Sequence, residues 1–353
     1  MISTALIFTD SIQDDLASLL SVYSPRQIYV LCDSITETMC LPAIRRFECL
    51  NEAHFITIPS GDTHKSVETL ATVWKYLSEN GGTRKSVLVN LGGGMVTDLG
   101  GFAASSFKRG IDCINIPTTL LGAVDASVGG KTGINFNGLK NEIGAFQLPK
   151  AVIFYAQFFK SLNRENLLSG FAEMLKHGLL SDKKYLGELF NLNLSEPEAP
   201  VFLSAVRRSV EIKKDITIQD PKEEGIRKAL NLGHTAGHAL ESLSHKRKKP
   251  VLHGYAIAWG LVCELYLSSK LLGFPSSTLQ QVIHFVRAEY GVFNITCDDY
   301  PYLYETMTHD KKNENSNINF TLLSRIGEIK LDQNADKALI DEMFDFYRDA
   351  MGI

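Results

Sequence analysis

The stretch LVNLGGGMVTDLGGFAAS, residues 88–105, carries an apolar run into three consecutive glycines and then into a segment of helical texture. Backbone N–H groups at a helix start can cradle a phosphate, and glycine lets the ligand approach closely. The glycines do not form the G-x-G-x-x-G pattern, and glycines after a strand also make plain tight turns, so this stretch alone leaves both readings open. Outward from it, the β-rich runs QIYVLCD, FITIP, CINIP and AVIFY recur through the first 160 residues and alternate with helical segments such as SVETLATVWKYLSEN. That alternation predicts a mostly parallel sheet with helices on its faces. PSGDTHKS at 59–66 and IPTTLLGAVDASVGGKTGIN at 116–135 follow two further strands. They place polar residues at carboxyl strand ends, where open α/β sheets bind ligands.

After about Ser161 the texture becomes helical: RENLLSGFAEMLKHGLL, APVFLSAVRRSVEIKKD, the run through NLGHTAGHALE, and GYAIAWGLVCELYLSSKLL. NINFTLLSRIGEIKL alternates around a glycine and predicts one small hairpin. At 353 residues, two domains are expected, an α/β domain over 1–160 and a mainly helical one over 161–353. A net charge of -4 supplies no general attraction for nucleic acid or an anionic membrane. The apolar run AIAWGLVCELYL is broken by Glu264 and is too short to span a bilayer. Six cysteines without a C-x-x-C pair read as reduced thiols, and MISTALIFTD has no basic n-region, so the expectation is a cytoplasmic protein.

GFAEMLKHG supplies Glu173, Lys176 and His177, NLGHTAGHALE supplies His234 and His238, and LHGYA supplies His253. Residues four apart share a helix face, so Glu173 with His177, and His234 with His238, are each candidate metal pairs. A carboxylate plus two neutral imidazoles is the inventory of a catalytic Zn2+ site. Two pairs exceed what one ion needs, and helix histidines also serve as core or capping residues, so spacing does not choose among them. Asp125 and Lys131 flank SVGG, Lys140 and Asn141 follow, and Lys213, Arg227, Asn231, Lys311 and Lys312 lie among the later helices. These donors suit a phosphate or a carboxylate; solvated surface charges would look the same.

Taken together, GGGMVTDLGGFAAS, FKRGIDCINIPTTLLGAVDASVGGKTGIN, LKNEIGAF, GFAEMLKHG, EEGIRKALNLGHTAGHALE, HGYAIAWG and DKKN resemble the 3-dehydroquinate synthase family of the sugar phosphate cyclase superfamily. The resemblance runs from about Pro59 to Asn313, in the family's order. It implies a Rossmann-like NAD-binding domain, an all-α carboxyl-terminal domain holding a divalent metal, Zn2+ with Co2+ as the alternative, and a homodimer. By motif, the implied metal ligands are Glu173, His234 and His253. NAD would meet Asp62, Lys65, Gly94, Met95, Val96, Thr97, Asp98, Thr118, Thr119, Lys140, Phe158 and Ser161, with Lys131 shared between cofactor and substrate. Substrate would meet Asp125, Lys131, Asn141, Lys176, Lys213, Arg227, Asn231, His238 and either Lys311 or Lys312, and Arg109 would reach in from the second subunit.

The implied reaction converts 3-deoxy-D-arabino-heptulosonate 7-phosphate into 3-dehydroquinate and phosphate, a step of the shikimate pathway to aromatic amino acids. Three residues depart from the family's usual pattern: Thr97 replaces a glycine beside the expected pyrophosphate, Leu139 precedes Lys140, and Tyr255 follows His253-Gly254 where a glutamate is common. SHKRKKP reads as a basic surface loop. Three protein ligands leave Zn2+ an open position, so His238 is expected to face substrate and His177 is given no ligand role. The rival readings are a sister cyclase of the valiolone or inosose synthase type, a metal-dependent polyol dehydrogenase that releases NADH, and a nucleotide-binding sensor without turnover. Lys213, Arg227 and Asn231 weigh against the first, and Lys131, Asn141 and the DKK run against the second.

Overall fold

The computed structural model describes residues 4–308 and 318–353, so Lys311 and Lys312 lie outside the described residues. Two compact units emerge: one of the residues up to Asn163 together with Asn193–Val210, the other of Arg164–Leu192 and the residues from Glu211 onward.

The first unit is built on six strands, β1 (Ala5–Thr9), β2 (Ile28–Asp33), β3 (His54–Ile58), β4 (Val87–Gly92), β5 (Asp112–Pro117) and, after a separate hairpin of β6 (Lys131–Phe136) and β7 (Leu139–Phe146), β8 (Ala151–Tyr155). Their order is β1-β8-β5-β4-β2-β3, and every pairing is parallel. Helices α1 (Ile12–Leu20), α2 (Ser34–Met39), α3 (Leu41–Ile44), α4 (Val67–Glu79) and α5 (Gly94–Ser106) connect them. Strands β2 and β4 are buried at every position. A strand covered on both faces reads as an unbroken apolar run, which is why QIYVLCD and SVLVNL stand out in the sequence. Alternate residues then serve two cores: Ile28 and Val30 pack with Leu16, Val89 and Ile153. Tyr29 and Leu31 pack with Leu70, Val73 and Leu99 on the opposite face.

Two pieces depart from the sequence expectation. Strand β1 is an edge strand, partly exposed along its length, formed by the short apolar run ALIFT near the start of the chain, which was not among the expected strands. The region of Lys131, Lys140 and Asn141, expected as loop, is the β6–β7 hairpin, closed at Asn137 (φ 49) and Gly138 (φ 78). Two successive positive φ values favour Asn-Gly, so the turn signal was present in the chain at FNGL.

The second unit contains α6 (Arg164–Ser181), α7 (Lys183–Phe190), the later part of α8 (Pro200–Gln219), α9 (His234–Lys246), α10 (His253–Leu272), α11 (Ser276–Tyr290), α12 (Tyr300–Thr308) and α13 (Lys337–Met351). It also holds the expected hairpin, β9 (Asn319–Arg325) with β10 (Glu328–Asn334). Arg247 to Pro250 of the basic stretch follow α9 and are exposed. No helix among the described residues is long and apolar enough to cross a membrane.

Helix α10 meets its neighbours at glycines. A Cβ at Gly254 would stand 1.9 Å from the Ser169 carbonyl oxygen of α6, and one at Gly260 would stand 2.0 Å from the Gly233 carbonyl oxygen and 2.6 Å from the Gly237 nitrogen of α9. Backbone cannot yield as a side-chain tip does. Gly260→Ala is therefore expected to lose about 1–3 kcal/mol of stability by overpacking. Gly187→Ala, mid-helix with nothing within 4 Å of the added methyl, is expected to gain about 0.5–1 kcal/mol. Urea denaturation of both variants beside wild type reads the contrast; equal stability of the two variants would contradict the helix contact.

Candidate active site

In the second unit, α6 brings Glu173 and Lys176, α9 brings His234 and His238, and α10 begins with His253. Glu173 is fully buried. Its Oε1 lies 3.5 Å from Nε2 of His234 and 3.5 Å from Nε2 of His253. Donors held tetrahedrally at about 2.0–2.1 Å from one ion stand roughly 3.4 Å apart, so this spacing fits a Zn2+-sized cation.

The outward ring nitrogens are already committed. Nδ1 of His234 donates to the Leu232 carbonyl at 3.1 Å, and Nδ1 of His253 faces Glu241 Oε2 at 3.4 Å. A carbonyl and a carboxylate can only accept, so each ring carries its proton on Nδ1 and turns the Nε2 lone pair toward Glu173. Neither oxygen of Glu173 receives an aligned hydrogen bond among the described residues, although Lys176 Nζ forms an ion pair with it. A buried carboxylate of this kind, facing two imidazole lone pairs, is what a divalent cation would satisfy.

Electrostatics agree. Burial would raise the Glu173 carboxyl, but Lys176 and His253 beside it outweigh burial and hold it below the usual carboxylate range. Burial would likewise lower the His253 imidazole, yet Glu173 and Glu241 push it up to about 10. The two carboxylates that raise this ring by favouring a proton on it would likewise favour a metal cation at its Nε2 in the proton's place.

Ring nitrogens of His234, His238 and His253 all lie within 4.8 Å of one another, so His238 belongs to the same cluster. Its ring centroid is 5.3 Å from that of His234 and 5.7 Å from that of His253. His177, one turn beyond Glu173, is buried and outside this group. Lys176 Nζ also donates to the Leu230 carbonyl at 2.9 Å, tying α6 to the turn Ile226–Asn231 that carries Arg227 and Asn231. Arg227 is buried and donates to the Pro221 carbonyl at 2.7 Å; Asn231 donates to Glu223 at 3.2 Å. Lys213 is buried on α8. Sequence reading missed Glu223 and Glu241. Glu241 stands two helical turns from His234 inside the quoted NLGHTAGHALE, which was the available signal.

In the first unit, the residues expected to meet NAD follow the carboxyl ends of β3, β4, β5 and β8, with Lys140 on the hairpin. Lys65 is almost fully buried, with Nζ 2.6 Å from Asp98 and in contact with the Asn141 amide. Asp62 accepts from Asn135 at 3.1 Å and faces Lys140 at 3.9 Å. The structure therefore joins Asp62, Lys65, Asp98, Lys140 and Asn141, and adds Asn135, which sequence reading passed over. Asn141 holds φ 51, its amide bonded to Asn135.

At the glycine turn, Gly94, Met95 and Asp98 are partly exposed while Val96 and Thr97 are buried. Thr97 returns its hydroxyl to the Gly94 carbonyl at 3.1 Å within its own turn. Thr119 accepts from Gly122 at 3.0 Å, and Thr118 is buried beside it. Phe158 packs edge-on against Tyr155, and Ser161 donates to the Phe158 carbonyl. Asp125 lies in the short turn Gly122–Ala126, Lys131 opens β6, and Arg109 is exposed in a left-handed turn after α5.

The fold resembles solved structures over nearly their whole lengths. A 2-epi-5-epi-valiolone synthase from Streptomyces hygroscopicus, with NAD+ and Zn2+ bound, aligns with TM-score 0.87 at 21% identity, covering 99% of this chain and 98% of that one. A 2-deoxy-scyllo-inosose synthase complexed with carbaglucose-6-phosphate, NAD+ and Co2+ aligns with TM-score 0.83 at 22% identity, covering 96% and 95%. The curated 3-dehydroquinate synthase of Parabacteroides distasonis is 47% identical over 99% of both chains, and that of Pyrococcus furiosus is 36% identical over 93% of this chain and 95% of its own. Family models described as 3-dehydroquinate synthase N-terminal and C-terminal match residues 55–169 and 170–313, and with that coverage the chain belongs to the 3-dehydroquinate synthase family.

Proposed function

We propose that this chain converts 3-deoxy-D-arabino-heptulosonate 7-phosphate into 3-dehydroquinate and phosphate, as a phosphate-eliminating carbon–oxygen lyase of the shikimate pathway, acting as a cytoplasmic homodimer. The observation that carries the reading is the buried Glu173 carboxylate facing the Nε2 atoms of both His234 and His253. These three would hold the divalent cation, Zn2+ or Co2+. When bound, the cation supplies Lewis acidity and NAD a hydride acceptor that is regenerated within one turnover.

The chain's own residues carry the rest. With NAD bound, oxidation of the carbon 5 hydroxyl would acidify carbon 6, whose proton could pass to the departing phosphate as it leaves carbon 7, and return of the same hydride would restore the hydroxyl at carbon 5. Lys131 and Asn141 would grip that phosphate, with one lysine of Lys311 and Lys312. Lys213, Arg227 and Asn231 would hold the carboxylate, Arg227 through its planar fork. Lys176 balances the charge of Glu173, and His238 would hold or move a proton at a ring nitrogen. Asp62, Lys65, Asp98, Thr118, Thr119, Lys140 and the Gly94 turn would meet NAD, and Asp125 would meet a substrate hydroxyl. Ring opening and aldol closure then need mainly confinement.

Three outcomes test the reading. Because hydride is taken and returned, purified protein with NAD and Zn2+ should release phosphate without steady accumulation of NADH; stoichiometric NADH would point to a polyol dehydrogenase. After dialysis, Glu173→Ala, His234→Ala and His253→Ala should lose most bound metal. His238→Ala should keep its metal and lose turnover by about 10² to 10⁴; metal loss from His238→Ala with retention in His253→Ala would reverse the assignment. Mixing Arg109→Ala with Lys131→Ala chains should recover up to about half of wild-type activity per heterodimer, because a two-fold exchange assembles one intact site. Heterodimers that form yet stay inactive would place Arg109 in its own subunit or outside the chemistry.

A further inference from the structure

We infer that Glu264 is a positioning residue for His234 and His238, an inference that rests on the metal-site reading above. Glu264 is fully buried midway along α10, and its carboxylate reaches across to the start of α9. Oε2 accepts from the Gly233 amide at 2.6 Å and Oε1 accepts from the Ala236 amide at 3.0 Å. The first turn of a helix leaves its N–H groups without internal partners, and the residue before the helix ordinarily caps them with its own side chain. Gly233 has none. It stands at φ 80, and a Cβ there would meet Leu261 Cδ2 at 2.8 Å, so no Ser, Asp or Asn can take over that role without strain. The cap comes instead from another helix.

Two acceptors on one rigid group do more than one would. Holding the amides of residues 233 and 236 together fixes both the height of α9 and its rotation about its axis, and the residues between them in the turn are His234 and Thr235. His238 follows one turn later on the same face. The negative charge also sits favourably at the positive end of the α9 dipole. On α10, Glu264 is eleven residues beyond His253, about three full turns, so both project from the same side of that helix. One helix thus offers His253 to the metal and, three turns on, sets the stance of the helix that offers His234. The Ser268 hydroxyl, which donates to the Glu264 carbonyl at 2.8 Å and accepts from the Leu323 amide at 3.1 Å, anchors this point of α10 to β9. A role in stability alone explains the charge poorly, since an apolar contact would join two helices without desolvating a carboxylate.

The test compares Co2+ binding and the visible absorption of the Co2+-loaded protein for wild type, Glu264→Gln, Glu264→Asp and Glu173→Ala. Glutamine puts an NH2 where an acceptor is needed, and aspartate is one methylene short. Both variants should keep native circular dichroism, bind Co2+ about 10- to 100-fold more weakly, and shift the visible band as the imidazole geometry changes. Unchanged affinity and spectrum in folded Glu264→Gln would overturn the inference while Glu173→Ala still loses metal and the metal reading stands. A wild-type chain that binds no Co2+ would overturn both. Should neither Glu264 variant fold, hydrogen exchange of wild type decides: residues 233–238 should be protected, and more so with Co2+, whereas exchange as fast as in the exposed 247–250 segment would sink the proposal.

Discussion

Gly260 of α10 lies against the backbone of Gly233 and Gly237 of α9, so close that even a methyl group would collide with a carbonyl oxygen and an amide nitrogen. Two helices in backbone contact bring the side chains at their ends together, and at these ends stand His234, His238 and His253. Helix α6 makes the same kind of approach through Ser169 and Gly254, one turn before Glu173. The spacing of Glu173, His234 and His253 therefore follows from glycine contacts between the helices that carry them. Loops could hold such a site only with greater spread in the ligand positions.

Charge placement follows from that packing. A buried carboxylate is costly without compensation, and Glu173 has Lys176 on its own helix and two imidazoles across from it. Lys176 in turn is tied to the Leu230 carbonyl, so the cation that offsets Glu173 also orders the turn holding Arg227 and Asn231. Glu241 holds the far side of His253. Glu241, His253, Glu173, Lys176 and the turn holding Arg227 and Asn231 are linked by one chain of contacts. Losing a member of it disturbs both.

The first unit applies a different logic. Its parallel sheet buries central strands on both faces and leaves polar residues to the segments after their carboxyl ends. There the β6–β7 hairpin supplies Asn135, Lys140 and Asn141 to meet Asp62 and Lys65 from the segment after β3 and Asp98 from the start of α5. Thr97, the departure beside the glycine turn, turns inward and bonds its own helix turn, which reconciles a larger side chain with that position.

Local physics wrote much of this into the chain. Continuous apolar runs marked β2 and β4, helical periodicity marked α4, α6, α8 and α10, and the four-residue spacing of Glu173 with His177 and of His234 with His238 made both pairs candidates for a metal without choosing between them. The β6–β7 hairpin was legible too, at Asn137-Gly138, but β7 is exposed along nearly all its length and β6 buries only Gly133 and Ile134, so neither strand carries a long apolar run. What spacing left open was which face of which helix meets which. Glu173 with His177 and His234 with His238 were both allowed by helical spacing, whereas His234 and His253 lie 61 and 80 residues from Glu173 along the chain. Tertiary structure brings Glu173, His234, His238 and His253 together, because residues distant in sequence become neighbours only where glycines let helix backbones touch. The cap from Glu264 lay beyond the sequence's reach for the same cause: its two partners are 28 and 31 residues away.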